Sequence, residues 1–591
     1  MTLPRRRLPS LRVRSRSLPL LAATAALLAL ATPAGAGTGH GDRATVTPIK
    51  HVIVIIGENR TFDHLFATYR PKAGQRVWNL LSEGIVTASG GPGPNAALAR
   101  QRTASDTTVY RLSPKKTGPY TTLPRPDTTY AVGLPPFVPD TRFPADLPNR
   151  PYQITKFVPW PAYTGDPIHR FYQMWQQIDS GRNDLFVWTP NTAGDDNGAI
   201  PPAPIHQGGL QMGFYNMQQG DAPLTRQLAD RFAISDNYHQ AVMGGTGANS
   251  IVTGTADAAY LQDANGDPLV PPASQIENPN PKPGTNNNFT QDGYAGGSYS
   301  NCSDPSQPGV GPILDYLRAH HTRSDCAPGR YYLLNNYAPG YNADGSRNTS
   351  SPFTVSPQTF PTIGDALSAR GISWAYFGQD FDKSVAHDPS SLYCSICNPF
   401  QYATSIMTTP LRGHLRDLAD LQNDVARGTL PAVSYIKPNA TFDGHPASST
   451  WALFEQFTAG ILNQLFAHPK LWASTAVLIT TDEGGGYYDS GYVQPTSFFG
   501  DGTRIPLIVV SPYAKRGAVD HTYSDHNSIL KFIERNWRLR PLSRRSLDNL
   551  PNPRTAAGNP YVPVNGPAVG DLFTLFDFDH PDFDATPVSA G

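Results

Sequence analysis

Two acidic strand ends hold most of the chemistry this sequence offers. Val52-Ile53-Val54-Ile55-Ile56 is an unbroken β-branched run that stops at Gly57 and is followed at once by Glu58 and Asn59. Residues 474–481, STAVLITT, finish the same way, at Asp482-Glu483 with three glycines behind them. Runs of this kind read as strands buried on both faces, and open α/β sheets bind ligands at the carboxyl ends of their strands. If the two strands are parallel neighbours, three carboxylates and an amide oxygen meet at one edge, a set suited to a hard divalent cation. Acids clustered in one cleft without compensation repel each other, which is a further argument for a cation. Oxygen donors alone do not select which metal.

A hydroxyl and several histidines could complete the set. HQAVMGGTGANSIVTG (239–254) sets Thr246 between glycines, which let the backbone turn tightly. A helix starting near Asn249 would aim its free N–H groups at an anion held there. His169 in DPIHRF and His445 in DGHP, with His526 as a further candidate, are able to neutralise or protonate an oxyanion. A cation-activated hydroxyl beside an oxyanion clamp is the apparatus of phosphoric ester hydrolysis. The plain alternatives are a glycine turn with a solvent-facing threonine, and acidic strand ends that bind nothing.

The elements that must position these residues alternate between strand and helix. Thr61 reads as the cap of a short helix through Phe66, residues 166–185 as a helix ended by Gly181, and 223–234 as another. Further helices are expected at 310–320, 362–370, 449–466 and 525–537, with strands near 331–334 and at 372–378, 430–438, 474–481 and 504–512. This alternation predicts an α/β fold with a mostly parallel central sheet covered on both faces. Residues 67–165 and the insertion at 262–308 are rich in turn formers without periodicity, so they read as loops.

Composition narrows the class. Lys+Arg and Asp+Glu are 47 each, so no global field draws the chain to nucleic acid or an anionic membrane. Arginines at 5–7, 12, 14 and 16 precede an apolar run at 18–31 and the small residues Ala34-Gly35-Ala36, the pattern of an export signal removed near Ala36. That run is short for a membrane span, and both general secretory and twin-arginine routes remain open. The expected protein is secreted or periplasmic, with no integral membrane association. Its four cysteines then favour Cys302–Cys326 and Cys394–Cys397, one of three connectivities, with a four-thiolate zinc site as the alternative.

The motifs ENRTFDHLF, GGTGANS, DGHP, TDEGGGYYD, TRIPLIVVSPYAKRG and SDHNSILKFIERNW, in that order, resemble the bacterial phosphoesterase family of non-haemolytic phospholipases C and A-type acid phosphatases. The resemblance implies an alkaline-phosphatase-like three-layer α/β/α sandwich with loop-rich insertions. It places a 37–48 lead-in before a catalytic domain at 49–540, and a Pro-rich segment at 541–591 packed on that domain. It implies a divalent metal held by Glu58, Asn59, Thr246, Asp482 and Glu483, with Thr246 also the nucleophile that forms a phospho-threonine. His169 and His445 would contact the phosphoryl group. YYLLNNYAPGY (331–341) is similar to the acid phosphatase branch, whereas a threonine nucleophile is usual among the phospholipases. Where relatives commonly carry a His-His pair, this chain has Ile396-Cys397. The function implied is an acid-phosphatase-like phosphomonoesterase acting on a small phosphate ester. Phospholipase C acting on phospholipid is the first alternative, and a secreted binding protein without turnover is the second.

Overall fold

Among the described residues eight strands hydrogen-bond into one sheet. In chain order they are β1 (His51–Gly57), β2 (Ala233–Ser235), β3 (Trp374–Gly378), β4 (Leu415–Asp417), β5 (Val433–Lys437), β6 (Thr475–Thr481), β7 (Leu507–Val510) and β8 (Val519–Asp520). Their spatial order is β4-β3-β5-β1-β6-β7-β2-β8. Every pairing is parallel except those of β7, which runs antiparallel to both neighbours. The structure is a computed structural model that describes residues 41–42, 44–105, 108–190, 207–280 and 296–591. The expected export signal, its cleavage near Ala36, residues 37–40 and 43 of the lead-in and residues 281–295 of the long insertion lie outside these.

The central strands are buried because their sequences are. β1 is buried from Val52 onward and β6 along its whole length. Their register runs from His51↔Thr475 to Gly57↔Thr481, so both finish at the same level. On the other side of β1, β5 pairs Ile55 with Ile436 and ends at Lys437. Three adjacent parallel strands thus deliver their last residues to one edge.

Helices cover the sheet in two layers. Pro223–Arg231, Trp451–Phe466 and Leu418–Arg427 pack in series as one layer, and Ile363–Ala369, Thr246–Thr255 and Asn527–Trp537 as the other, giving an α/β/α sandwich. Trp451–Phe466 starts at Thr450, whose hydroxyl accepts the Leu453 N–H, and it buries Phe454, Ile461, Leu462 and Leu465. Ile363–Ala369 starts on a reciprocal Thr362/Asp365 capping box. Among the described residues no helix is long and apolar enough to cross a membrane. In the last fifty residues Phe576 stacks on Phe532, and the Val588 N–H donates to Asn463.

Several elements differ from the sequence reading. The helix expected over 166–185 is confined to Phe171–Ile178 with a short 3₁₀ turn after it, because the segment around Pro167 stays extended to present His169. The 223–234 helix ends at Arg231, and Ala233–Ser235 is a sheet strand instead. The strand near 331–334 is only Tyr332–Leu333, paired with Tyr299–Ser300 outside the central sheet. β4 and the following helix went unread. That helix is capped by Asp417, buries Leu418, Leu421 and Val425, and ends at the left-handed Gly428, a legible pattern.

Candidate active site

Thr246 is the first residue of its helix, three positions earlier than expected, with Gly245 as the cap. Asn249 does not open the helix. Its side chain folds back, accepting the Val242 N–H at 3.0 Å and donating to the carbonyls of Val242 and Gly244 at 3.0 and 2.9 Å, which pins the glycine turn. Gly244 is obligatory there, since a Cβ would lie 1.6 Å from the Leu334 carbonyl oxygen. The neighbouring Asn pair holds both sides of the site: Asn336 Oδ1 accepts the Gly247 N–H at 2.7 Å, and Asn335 Oδ1 accepts the Phe171 N–H at 2.9 Å.

The acidic strand ends come together as their register dictates. The Thr246 hydroxyl donates to Glu483 Oε1 at 3.2 Å, and the Asn59 N–H points to Asp482 Oδ1 at 3.4 Å. Asn59 has φ 58°, a left-handed conformation that Asn tolerates. Gly485 (φ 60°) passes so close that an added Cβ would meet Asn59 Cβ at 2.6 Å. Behind this corner Arg504 binds Asp63 and Asp489 at 3.0 and 2.9 Å, which explains the acidic residues of FDH and of YYD.

The two histidines are presented by one device. His169 Nδ1 lies 2.6 Å from the Pro167 carbonyl oxygen and His445 Nδ1 lies 2.6 Å from that of Pro446, so each donates there and turns Nε2 inward. His169 Nε2 faces the Asn59 amide nitrogen at 3.5 Å and Glu483 Oε1 at 3.7 Å. His445 Nε2 faces Asp166 Oδ2 at 3.9 Å. His526 is not part of this group. It is fully buried between the Thr481 carbonyl and the Ala241 N–H, and burial depresses its pKa to about 4.

A cavity of about 370 Å³ opens on this edge. Glu58, Thr246, Asp443 and His445 line it together with Tyr130, Leu392, Cys394 and Ile396. Asn59, Asp482, Glu483 and His169 lie buried. Both expected disulfides form, and Cys397 Sγ packs 3.2 Å from Glu58 Oε1. At the Ile396-Cys397 departure Ile396 lines the cavity and Cys397 packs on Glu58, and the four-thiolate zinc alternative is replaced by two disulfides.

The sequence reading missed Lys437. Its ammonium is 2.5 Å from Glu58 Oε1 and 3.8 Å from Asp443 Oδ2, with a side chain only 3% exposed. Burial pulls its pKa down, but Glu58, Asp443 and Asp482 outweigh this and raise it. Burial first, then the charge of Glu58, pushes Asp482 up to about 7 against the pull of Lys437. Burial likewise raises Asp443 to about 6. Asn59 Oδ1 and Asp482 Oδ2 are buried without a hydrogen-bond partner, hard oxygen atoms of the kind a divalent cation takes. Among the described residues two groups of three have ligand atoms within 4.8 Å of one another, Asp166–His169–His445 and Glu58–Cys394–Cys397, and neither is the set named from sequence.

A sequence profile described as the Phosphoesterase family matches residues 49–540. A non-hemolytic phospholipase C of Burkholderia pseudomallei is 25% identical, over 94% of this chain and 62% of its own length. Phospholipase C B of Mycobacterium tuberculosis is 23% identical, over 94% of this chain and 84% of its own. A probable acid phosphatase of Kluyveromyces lactis is 28% identical over 36% of this chain and 50% of its own. The chain thus spans less than two thirds of the Burkholderia relative.

Proposed function

We propose, from the premise that this chain belongs to the Phosphoesterase family, that it is an exported, metal-dependent hydrolase of phosphoric monoesters working through Thr246. The observation that supports this most is the Thr246 hydroxyl at the mouth of a helix, hydrogen-bonded to Glu483 in a cavity shared with Glu58 and His445. Glu483 Oε1 accepts the hydroxyl hydrogen and so directs an oxygen lone pair away from itself, into the cavity. The helix N–H groups following Thr246 favour the dianionic phosphoryl group. In the first half-reaction a bond forms from Thr246 Oγ1 to phosphorus as the ester P–O bond breaks, and the hydroxyl proton passes to Glu483 Oε1. His445 Nε2, held by Asp166, gives its proton to the departing alcohol oxygen. In the second, water attacks the phospho-threonine, restores the hydroxyl and releases phosphate. A divalent cation held by Glu58, Asn59, Thr246, Asp482 and Glu483 would acidify the hydroxyl and offset phosphoryl charge.

The phospholipase C reading draws on the names of the relatives and on Leu392, 47% exposed at the cavity mouth, where an acyl glycerol could lean. The binding-protein reading rests only on Ile396-Cys397. One assay separates the three: release of nitrophenol from p-nitrophenyl phosphate and of phosphocholine from phosphatidylcholine, each with and without chelator. Chelator-sensitive nitrophenol release exceeding phosphocholine release is expected. Thr246→Ala should abolish turnover by orders of magnitude with the fold intact, and near-normal rates in that variant would remove Thr246 as nucleophile.

A further inference from the structure

The third strand to reach the site edge contributes a cation rather than an acid. β5 lies against β1, and Lys437 is its last residue, so the ammonium is carried by a central strand rather than a loop. Glu58 Oε1 takes it on one side and Asp443 Oδ2 on the other. The second oxygen of Asp443, Oδ1, accepts the His445 N–H at 3.0 Å, and the Asp443 carbonyl accepts the Glu58 N–H at 2.8 Å. Glu58, Lys437, Asp443 and the backbone therefore form a closed circuit with His445 attached to it.

We propose that Lys437 is a positioning residue of the hydrolytic site, whose buried ammonium ties Glu58 to Asp443 and fixes the separation between the cation-holding acids and the His445 loop. The proposal rests on the functional reading above. Without the ammonium, two adjacent buried carboxylates repel, and both can turn away. Glu58 then presents a poorer ligand atom, and the His445 loop loses its fixed distance from Thr246. Lys437 does not line the cavity, so substrate need not touch it. A purely structural lysine would behave differently, because replacing a buried ion-pair partner changes stability without changing what the folded fraction binds.

The test is Lys437→Met, which keeps the length of the stem and removes the charge. Manganese affinity is measured by equilibrium dialysis, and kcat and KM for p-nitrophenyl phosphate at saturating metal. Expected are a metal Kd raised about tenfold or more and a kcat lowered by a similar factor, the range seen when groups supporting metal ligands are lost. KM should change by less than about threefold, since the phosphoryl contacts remain. Lys437→Arg, which keeps the charge, should restore metal affinity more than kcat, because its fork cannot reproduce the two-sided spacing. Metal affinity and kcat both within a factor of two of wild type in Lys437→Met would overturn the proposal. So would the failure of both variants to accumulate folded protein, which would leave Lys437 a structural residue. A wild type that binds manganese but hydrolyses neither ester would sink the functional reading instead, and metal affinity in the variants would still decide this one.

Discussion

Replacing Asp482 by Asn should stabilise the metal-free protein most at pH 8, less at pH 5, and not at all below the unfolded pKa near 3.8. Asp482 is buried beside Glu58, and its pKa rises from 3.8 to about 7. A carboxyl whose pKa is higher in the folded chain holds its proton more tightly there. Its contribution to stability is fully present below the unfolded value near 3.8 and is lost as pH rises through about 7. At 1.36 kcal/mol per pKa unit the loss is on the order of 4 kcal/mol. Asparagine mimics the protonated acid and loses nothing over the same window. Guanidinium unfolding in chelator, with disulfides intact, should therefore give a higher midpoint for Asp482→Asn at pH 8, and less than half of that difference at pH 5. Saturating metal should reverse the order at pH 8, because the ionised acid then gains its partner. Between pH 5 and 7 the metal must displace the Asp482 proton, so the wild-type Kd should fall about tenfold per pH unit for each proton released. A pH-independent difference between the two chains would refute the reasoning. A metal-free Asp482→Asn less stable than wild type at pH 8 would show that Lys437 already satisfies the ionised carboxylate.

Two further outcomes follow from single contacts. His445→Ala should cost about a hundredfold or more in kcat with an alkyl phosphate, whose alcohol needs a proton, and much less with p-nitrophenyl phosphate, whose phenolate leaves unaided. Equal losses on both substrates would take the leaving-group role from His445. Gly485→Ala places a methyl 2.6 Å from Asn59 Cβ at φ 60°. It should cost about 1–3 kcal/mol in thermal stability and lower the metal content of purified protein, and an unchanged melting temperature would refute the close approach.

The sheet was readable because its strands are long apolar runs, and its edge chemistry because the runs stop at acids. The apolar cores of β1 (Val52–Ile56) and β6 (Ala476–Ile479) carry no charge, so the level of Glu58 and Asp482 follows once the strands are parallel. β2 was not readable: three residues, Ala233–Ser235, directly behind a helix have too little period to separate from it. The antiparallel sense of β7 was equally hidden, since orientation within a sheet leaves no mark on a buried strand. Asn335 and Asn336 stood in plain view in YYLLNNYAPGY, yet their work, accepting the N–H groups of Phe171 and Gly247, joins segments distant in the chain. Asp166 and Asp443 carried a weak signal, each sitting two or three residues before a histidine.

Lys437 bears most directly on the electrostatic argument for a metal. Acids packed at one edge do need positive charge, but the first cation supplied is the chain's own, from the end of β5. Its close ion pairs are with Glu58 and Asp443, and it acts on Asp482 only through its charge. On the far side Asn59 Oδ1 and Asp482 Oδ2 stay buried without a partner, and Asp482 keeps a raised pKa despite the lysine. The residual demand for charge therefore lies between Asn59 and Asp482, beside the Thr246 hydroxyl, where a nucleophile would benefit from it. A lysine placed equally among all the acids would have satisfied them and removed the reason for a metal. This one is offset toward the His445 loop, which leaves the nucleophile's side of the edge electron-rich and still able to take a divalent ion.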